Sequence, residues 1–112
     1  MKFILSLFVR GIAVFATAYI LPGVVIESYW TAVLVALVLT VLNTIVKPIL
    51  FILTLPITIM TLGLFTFVLN AVMILLVDYL IVGFSVGGFL NALLFSLLLS
   101  LINSVLEKLT RS

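Results

Sequence analysis

The sequence predicts an all-α fold, a four-helix transmembrane bundle made of two parallel, repeated helical hairpins joined by a proline-broken apolar linker. The first observation behind this prediction is composition. Of the 112 residues, 67% are hydrophobic and 7% are charged, whereas a soluble domain is about half apolar and about a quarter charged. A soluble fold of this length could not bury so much apolar surface. We therefore expect residues 1–112 to form a single integral membrane domain.

The second observation is an internal duplication at a fixed offset. Residues 3–49 (repeat one) align without gaps on residues 63–109 (repeat two). Apolar matches carry little weight in such a chain, so the coincidences among less common residues matter most. They are Tyr19 with Tyr79, Gly23 with Gly83, and Asn43 with Asn103. A repeat of this length suits one helical hairpin used twice.

The third observation is a set of four apolar segments, each about as long as a membrane-spanning helix. About 20 apolar residues are needed to cross the roughly 30 Å hydrocarbon core. The predicted spans are residues 3–21, 29–47, 63–81 and 88–109. The connections 22–28 and 82–87 are short, which makes the two helices of each hairpin antiparallel neighbours.

The segment 48–62 between the hairpins is apolar but carries Pro48 and Pro56. It is shorter than a clean span, and proline interrupts the hydrogen bonding of a helix. Three structures remain open: an interfacial segment, a shallow re-entrant loop, or extensions of the flanking helices that bend at the prolines. We favour the third combined with the first, because bare loop backbone cannot face lipid.

The charges predict the orientation of the four spans. An even number of spans puts both termini and the linker on one side, where the basic residues lie, while the acidic Glu27 and Asp78 fall on the other side. An excess of Lys and Arg marks the cytoplasmic side. We therefore expect a multi-pass protein with cytoplasmic termini and hairpins that run the same way. The basic residues on that side are Lys2, Lys47, Lys108 and Arg111.

Each predicted span carries one strongly polar residue at a similar depth near the cytoplasmic side. We call the set the intramembrane polar layer. Two interpretations stand: side chains that bond neighbouring helices together, which we favour, or the lining of a polar pathway. The first residue of the set can also reach the headgroups with its long side chain. The set is Arg10, Asn43, Asn70 and Asn103.

Small residues recur every four positions on spans two and four, at equivalent places in the two repeats. Such ladders let helix backbones approach closely in lipid. They predict that these two spans pack on each other or across a subunit interface. The ladders are Ala32, Ala36, Thr40 and Thr44, and Ala92, Ser96, Ser100 and Ser104.

The residue types argue against catalysis. The chain has neither His nor Cys, and only three carboxylates, Glu27, Asp78 and Glu107. Glu27 and Glu107 fall at opposite membrane faces and cannot act as a pair. No phosphate-binding glycine loop or metal-ligand cluster is present. The net charge of +2 is too small for nucleic-acid binding. We expect no enzyme activity, no cofactor and no metal, and the sequence identifies no small-molecule substrate.

Several strings resemble one bacterial family. They are LNTIVKPIL (42–50), LTLPIT (53–58), TLGLF (61–65), NAVM (70–73) and GFSVGGF (83–89). They are similar to phage holin family 4, the mycobacterial-type four-span phage holin superfamily IV. The resemblance implies a small protein of the bacterial cytoplasmic membrane that oligomerises and opens lesions.

Three functions remain open at this point. The first is a holin-like protein that permeabilises the membrane as a homo-oligomer. The second is a structural or envelope-stress membrane protein without a pore, and the third is a small ion or solute channel or transporter. In each case the lipid bilayer is the principal partner.

Overall fold

The computed structural model describes residues 2–111, with side chains for residues 2–109. The Arg111 side chain, one of the predicted cytoplasmic basic groups, therefore lies outside the described residues. The described chain is almost entirely helical. Its elements in order are α1 (Lys2–Ile20), β1 (Val25–Ile26), α2 (Tyr29–Leu53), α3 (Leu55–Met60), α4 (Phe65–Leu80), β2 (Phe84–Ser85) and α5 (Phe89–Arg111).

Four of the helices pack side by side as a bundle. In turn around the bundle, α1 packs against α2, α2 against α4, α4 against α5, and α5 against α1. Helices α2 and α5 therefore face each other across a diagonal. The two strands lie at one end of the bundle, here called the strand end. The opposite end, here called the terminal end, carries the start of α1, the short helix α3 and the end of α5.

The two strands are the main element that the sequence did not predict. Segments 22–28 and 82–87 were expected to be simple connections, but β1 and β2 pair antiparallel, with Val25 opposite Ser85. A further bond runs from the Glu27 amide to the Gly83 carbonyl, with an N–O distance of 3.0 Å. Two-residue strands are too short to show a period in the sequence. Val25 and Ser85 occupy the same position in the alignment of the two repeats, whereas the other pair, Ile26 with Phe84, is two residues out of that alignment.

Two glycines make this end of the bundle compact. Gly23 and Gly83 have φ angles of 85° and 95°, a region that side chains other than glycine rarely adopt. A Cβ atom at Gly23 would lie 2.7 Å from Nδ2 of Asn91, and one at Gly83 would lie 2.7 Å from Oε2 of Glu27. Both connections therefore require glycine for conformation and for space.

Three helices, α1, α2 and α5, are long and apolar enough to cross a membrane. The fourth bundle helix, α4, has 16 residues, a length of about 24 Å, which is shorter than the span 63–81 that the hydropathy predicted. The chain before α4 turns at Leu62 and Gly63, whose φ angles are 57° and 91°. This turn delays the start of the helix to Phe65.

Segment 48–62 contains helix on both sides of a single break. Pro48 was expected to interrupt the chain, but it lies inside α2, which continues to Leu53. Tertiary contacts in membrane bundles offset the bond that an internal proline removes. Pro56 lies in the first turn of α3. Amides in the first turn of a helix have no carbonyl partner within that helix, so the N–H that proline lacks costs no hydrogen bond there. The break between the helices falls at Thr54.

The small-residue ladders lie partly in the core and partly on the surface. Four members near the strand end, Ala32, Ala36, Ala92 and Ser96, are buried. Towards the terminal end Thr40 is half-buried, and the last members are exposed: Thr44, Ser100 and Ser104. The ladders therefore serve close packing only in the half of the bundle near the strands.

One close approach between helices involves a residue outside the ladders. Gly11 is buried in α1, and a Cβ atom there would lie 2.8 Å from Cγ2 and 3.2 Å from Cα of Val33 on α2. This contact brings the backbones of the first hairpin together. The equivalent residue of the second hairpin is Ala71, which is fully buried.

Replacing Ala36 by Leu should destabilise the bundle. Ala36 is 3% exposed, and overpacking a filled core site costs about 1–3 kcal/mol of unfolding free energy. The measurement is reversible unfolding in detergent micelles. Val41→Leu is the matched control, because Val41 lies on the same helix and is 47% exposed. Equal stability of the two variants would contradict the packing described here.

Candidate functional site: a polar cleft within the bundle

A concentration of polar side chains lines a cavity between α2, α4 and α5. The cavity has a volume of about 170 Å³, enough for about five waters. We call it the polar cleft. Six of its nine lining residues are polar, and three are apolar. They are Asn43, Lys47, Asn70, Ser96, Ser100 and Asn103, with Leu39, Ile74 and Leu99.

Lys47 supplies the charge of the polar cleft. Its ammonium nitrogen Nζ donates a hydrogen bond to Oδ1 of Asn70, which joins α2 to α4. The second span was predicted to end at Lys47, but α2 continues six residues beyond it, to Leu53. The spacing offers a signal for this position. Asn43 and Lys47 are four residues apart, so they share one face of the helix.

Three of the four residues of the predicted intramembrane polar layer meet in this cleft. Asn43 lies on its exposed rim, and Asn70 accepts the bond from Lys47. Asn103 contributes from α5, and its Oδ1 atom is buried without a hydrogen-bond partner among the described residues. A buried acceptor without a donor is costly, so this atom demands a donor from water or from a bound group.

Arg10, the fourth residue of the layer, lies elsewhere. Its Nη1 atom donates to Oγ1 of Thr40 on α2, at 3.1 Å, and Thr40 in turn donates to the carbonyl of Ala36, at 2.8 Å. Arg10 does not line the cleft. It lines a separate surface pocket together with Lys2 and Ser6. The layer is therefore divided between two sites on different sides of the bundle.

A second group of polar contacts holds the strand end together. Nδ2 of Asn91 donates to the carbonyls of Pro22, at 3.0 Å, and Val86, at 2.9 Å, and so ties the two connections to α5. Oδ2 of Asp78 accepts a bond from the Val86 amide at 3.0 Å. The contacts of Asn91 could not be predicted, because an isolated Asn near a helix start gives no signal of a tertiary contact.

The chemistry that the polar cleft offers is the solvation of charge. Its lining holds one cation, neutral amides and hydroxyls, and none of the lining residues is acidic. Among the described residues, no group of three or more His, Cys, Asp or Glu side chains is placed to hold a metal ion. The cleft is therefore suited to water or to an anionic group.

The apolar helices and their lengths define the class of the molecule as a small helical membrane protein. A family model described as mycobacterial 4 TMS phage holin, superfamily IV, matches residues 1–105. The chain belongs to this family, and the resemblance found in the sequence is confirmed. It is thus a small membrane protein of holin type.

Two relatives are bacterial proteins. The chain is 32% identical over 108 residues to the uncharacterized membrane protein YvlD of Bacillus subtilis (strain 168), a match that covers 96% of this chain and 91% of that protein. It is 45% identical over 85 residues to the uncharacterized protein SCO3922 of Streptomyces coelicolor, a match that covers 72% of this chain and 68% of that protein. No solved structure matches the chain significantly.

The bond between Lys47 and Asn70 should show energetic coupling. Asn70→Leu removes the acceptor and leaves the ammonium without it, at a cost of about 1–3 kcal/mol of unfolding free energy. Lys47→Met combined with Asn70→Leu removes both partners and should cost less than the sum of the single changes. Unfolding of the four proteins in detergent measures this coupling. Additive effects would contradict a direct interaction.

Proposed function

We propose that this protein permeabilises the bacterial cytoplasmic membrane as a homo-oligomer, with water-filled passages formed between its subunits. The observation that carries this proposal is a polar edge on the terminal halves of α2 and α5. The residues of the polar edge are exposed: Asn43, Thr44, Ser100 and Ser104. Two of them, Asn43 and Ser100, also line the polar cleft.

Thr44 already donates to the carbonyl of Thr40, at 2.7 Å, whereas an exposed amide such as that of Asn43 has no favourable partner in hydrocarbon. Polar residues within membrane segments almost always face a bundle interior or a water-filled cavity. The exposed side chains of the polar edge would therefore contact a neighbouring subunit or water. An oligomer with these edges directed inwards supplies both.

The dimensions of one subunit favour passages between subunits rather than through one. A cleft of about 170 Å³ holds only a few waters. The strand end is closed by Phe84, Val86 and Phe95, which are at most 3% exposed, and the rings of Phe84 and Phe95 meet edge to face at 5.5 Å. A solute route along one bundle would have to disrupt this packing.

The charge distribution supports an orientation with the terminal end in the cytoplasm. Lys2 and Lys108 lie at the terminal end, while Glu27 and Asp78 lie near the strands. The positive-inside rule applies to such short connections. In this orientation, the polar cleft and the polar edge open near the cytoplasmic face, and α4 completes the fourth crossing, with its short length made up by the turn at Leu62 and Gly63.

A structural protein without a pore is the second candidate, and two contacts favour it. The Lys47–Asn70 and Arg10–Thr40 bonds both join neighbouring helices within one subunit. If every polar group served such bonds, the polar side chains would stabilise the bundle and conduct nothing.

Dye release from liposomes separates the two candidates. Asn43→Leu should slow release several-fold, because an apolar side chain on the polar edge favours dewetting of a passage. Its melting should hardly change, since Asn43 is exposed and surface changes stay within about 0.5 kcal/mol. The matched control is Ile45→Leu, two residues further along α2 and 58% exposed, which should release dye like the parent protein.

Melting and subunit number are measured on the same samples, the latter by native mass spectrometry. A lower melting temperature for Asn43→Leu with unchanged release would favour the structural candidate. Liposomes that contain the parent protein and retain their dye at every protein-to-lipid ratio would contradict permeabilisation itself.

A further inference from the structure

The polar cleft carries a charge that its own lining does not balance. Lys47 brings an ammonium group, and its partner Asn70 is a neutral amide. None of the nine lining residues is acidic. An ammonium has three N–H donors, of which this bond takes one. The cleft therefore offers a cation and free donor capacity to an anion.

The same cleft also offers an acceptor that needs a donor. Oδ1 of Asn103 is buried and has no hydrogen-bond partner among the described residues. The hydroxyls of Ser96 and Ser100 lie on the same wall, and Ser96 already donates to the carbonyl of Leu93, at 2.8 Å. A ligand that suits the whole lining is anionic at one part and carries hydroxyl donors at another.

The position of the cleft indicates where such a ligand comes from. Lys47 lies six residues before the end of α2 at Leu53, about 9 Å along the helix, which is near the depth of lipid headgroups. Asn43 and Ser100 on the rim are exposed, so the cleft opens on the outside of the bundle. Leu101 and Val105 lie on the outer face of α5, away from the residues that line the cleft. They are 66% and 57% exposed and offer an apolar surface to acyl chains.

We propose that the polar cleft binds the headgroup of an anionic phospholipid of the phosphatidylglycerol type from the surrounding leaflet. The phosphodiester accepts hydrogen bonds from Lys47 and from the amide of Asn43. The glycerol hydroxyls donate towards Asn103 and the serines, and the acyl chains lie along α5 outside the cleft. Basic pockets between helices bind anionic headgroups in this way. The proposal does not depend on pore formation.

The test is lipid retention by the purified full-length protein, measured by native mass spectrometry after exposure to equal amounts of phosphatidylglycerol and phosphatidylethanolamine. The parent protein should retain the anionic lipid preferentially. Lys47→Gln should reduce that preference about tenfold, because it removes a charged hydrogen bond. Lys47→Arg should keep most of it. Lys108→Gln is the matched control, since Lys108 is an exposed lysine at the same end of the bundle, and it should behave like the parent protein.

A further arm distinguishes the lipid from free phosphate. Millimolar inorganic phosphate should not displace the retained lipid; displacement would identify soluble phosphate as the ligand and overturn the lipid assignment. The proposal is also overturned by a parent protein without preference, by an unchanged preference in Lys47→Gln, or by an equal loss in Lys108→Gln. If Lys47→Gln does not fold by circular dichroism, Asn43→Leu replaces it. That variant keeps the cation but alters the rim, and it should lose the preference.

Discussion

Every polar side chain of this protein must find a partner without bulk water around the helices, and this constraint organises the structure. At the strand end the demand is met by short, fixed contacts. Asn91 binds both connections, and Asp78 accepts a bond from the Val86 amide. Near the terminal end, only some of the polar side chains have hydrogen-bond partners. Lys47 finds Asn70, but Asn103 keeps a buried oxygen without a partner among the described residues.

The two repeats differ at residues that form polar contacts between helices. In the alignment of the two repeats, Arg10 corresponds to Asn70, and Lys47 corresponds to Glu107. Because repeat two has Asn70 where repeat one has Arg10, Lys47 finds a neutral acceptor on α4. Arg10 donates its hydrogen bond to Thr40 on α2 instead. Similar hairpins therefore form a polar cleft on one side of the bundle and a different contact on the other. Among the described residues, Lys47 and Arg10 therefore line two different sites.

Much of the helical framework could be predicted from the sequence, because in lipid hydropathy and length almost determine which segments are helical. Three long apolar helices and the family resemblance are confirmed. The strand pairing at Val25 could not be predicted, since two residues carry no periodicity. Pro48 inside α2 could not be predicted either, because local propensity does not report how tertiary packing offsets a missing bond. The bond from Lys47 to Asn70 could not be predicted either, because charge patterns give the side of the membrane, not the direction of a side chain.

The polar edge is expected to contact water rather than acyl chains, and cysteine accessibility tests this most directly. The chain has no native Cys, so single substitutions in liposomes report one position each, and thiols react as thiolates, which form in water. Thr44→Cys and Ser100→Cys should react rapidly with a water-soluble maleimide. Ile45→Cys and Leu101→Cys, the adjacent positions along each helix, should react slowly. Equal, slow labelling at all four positions would contradict the account.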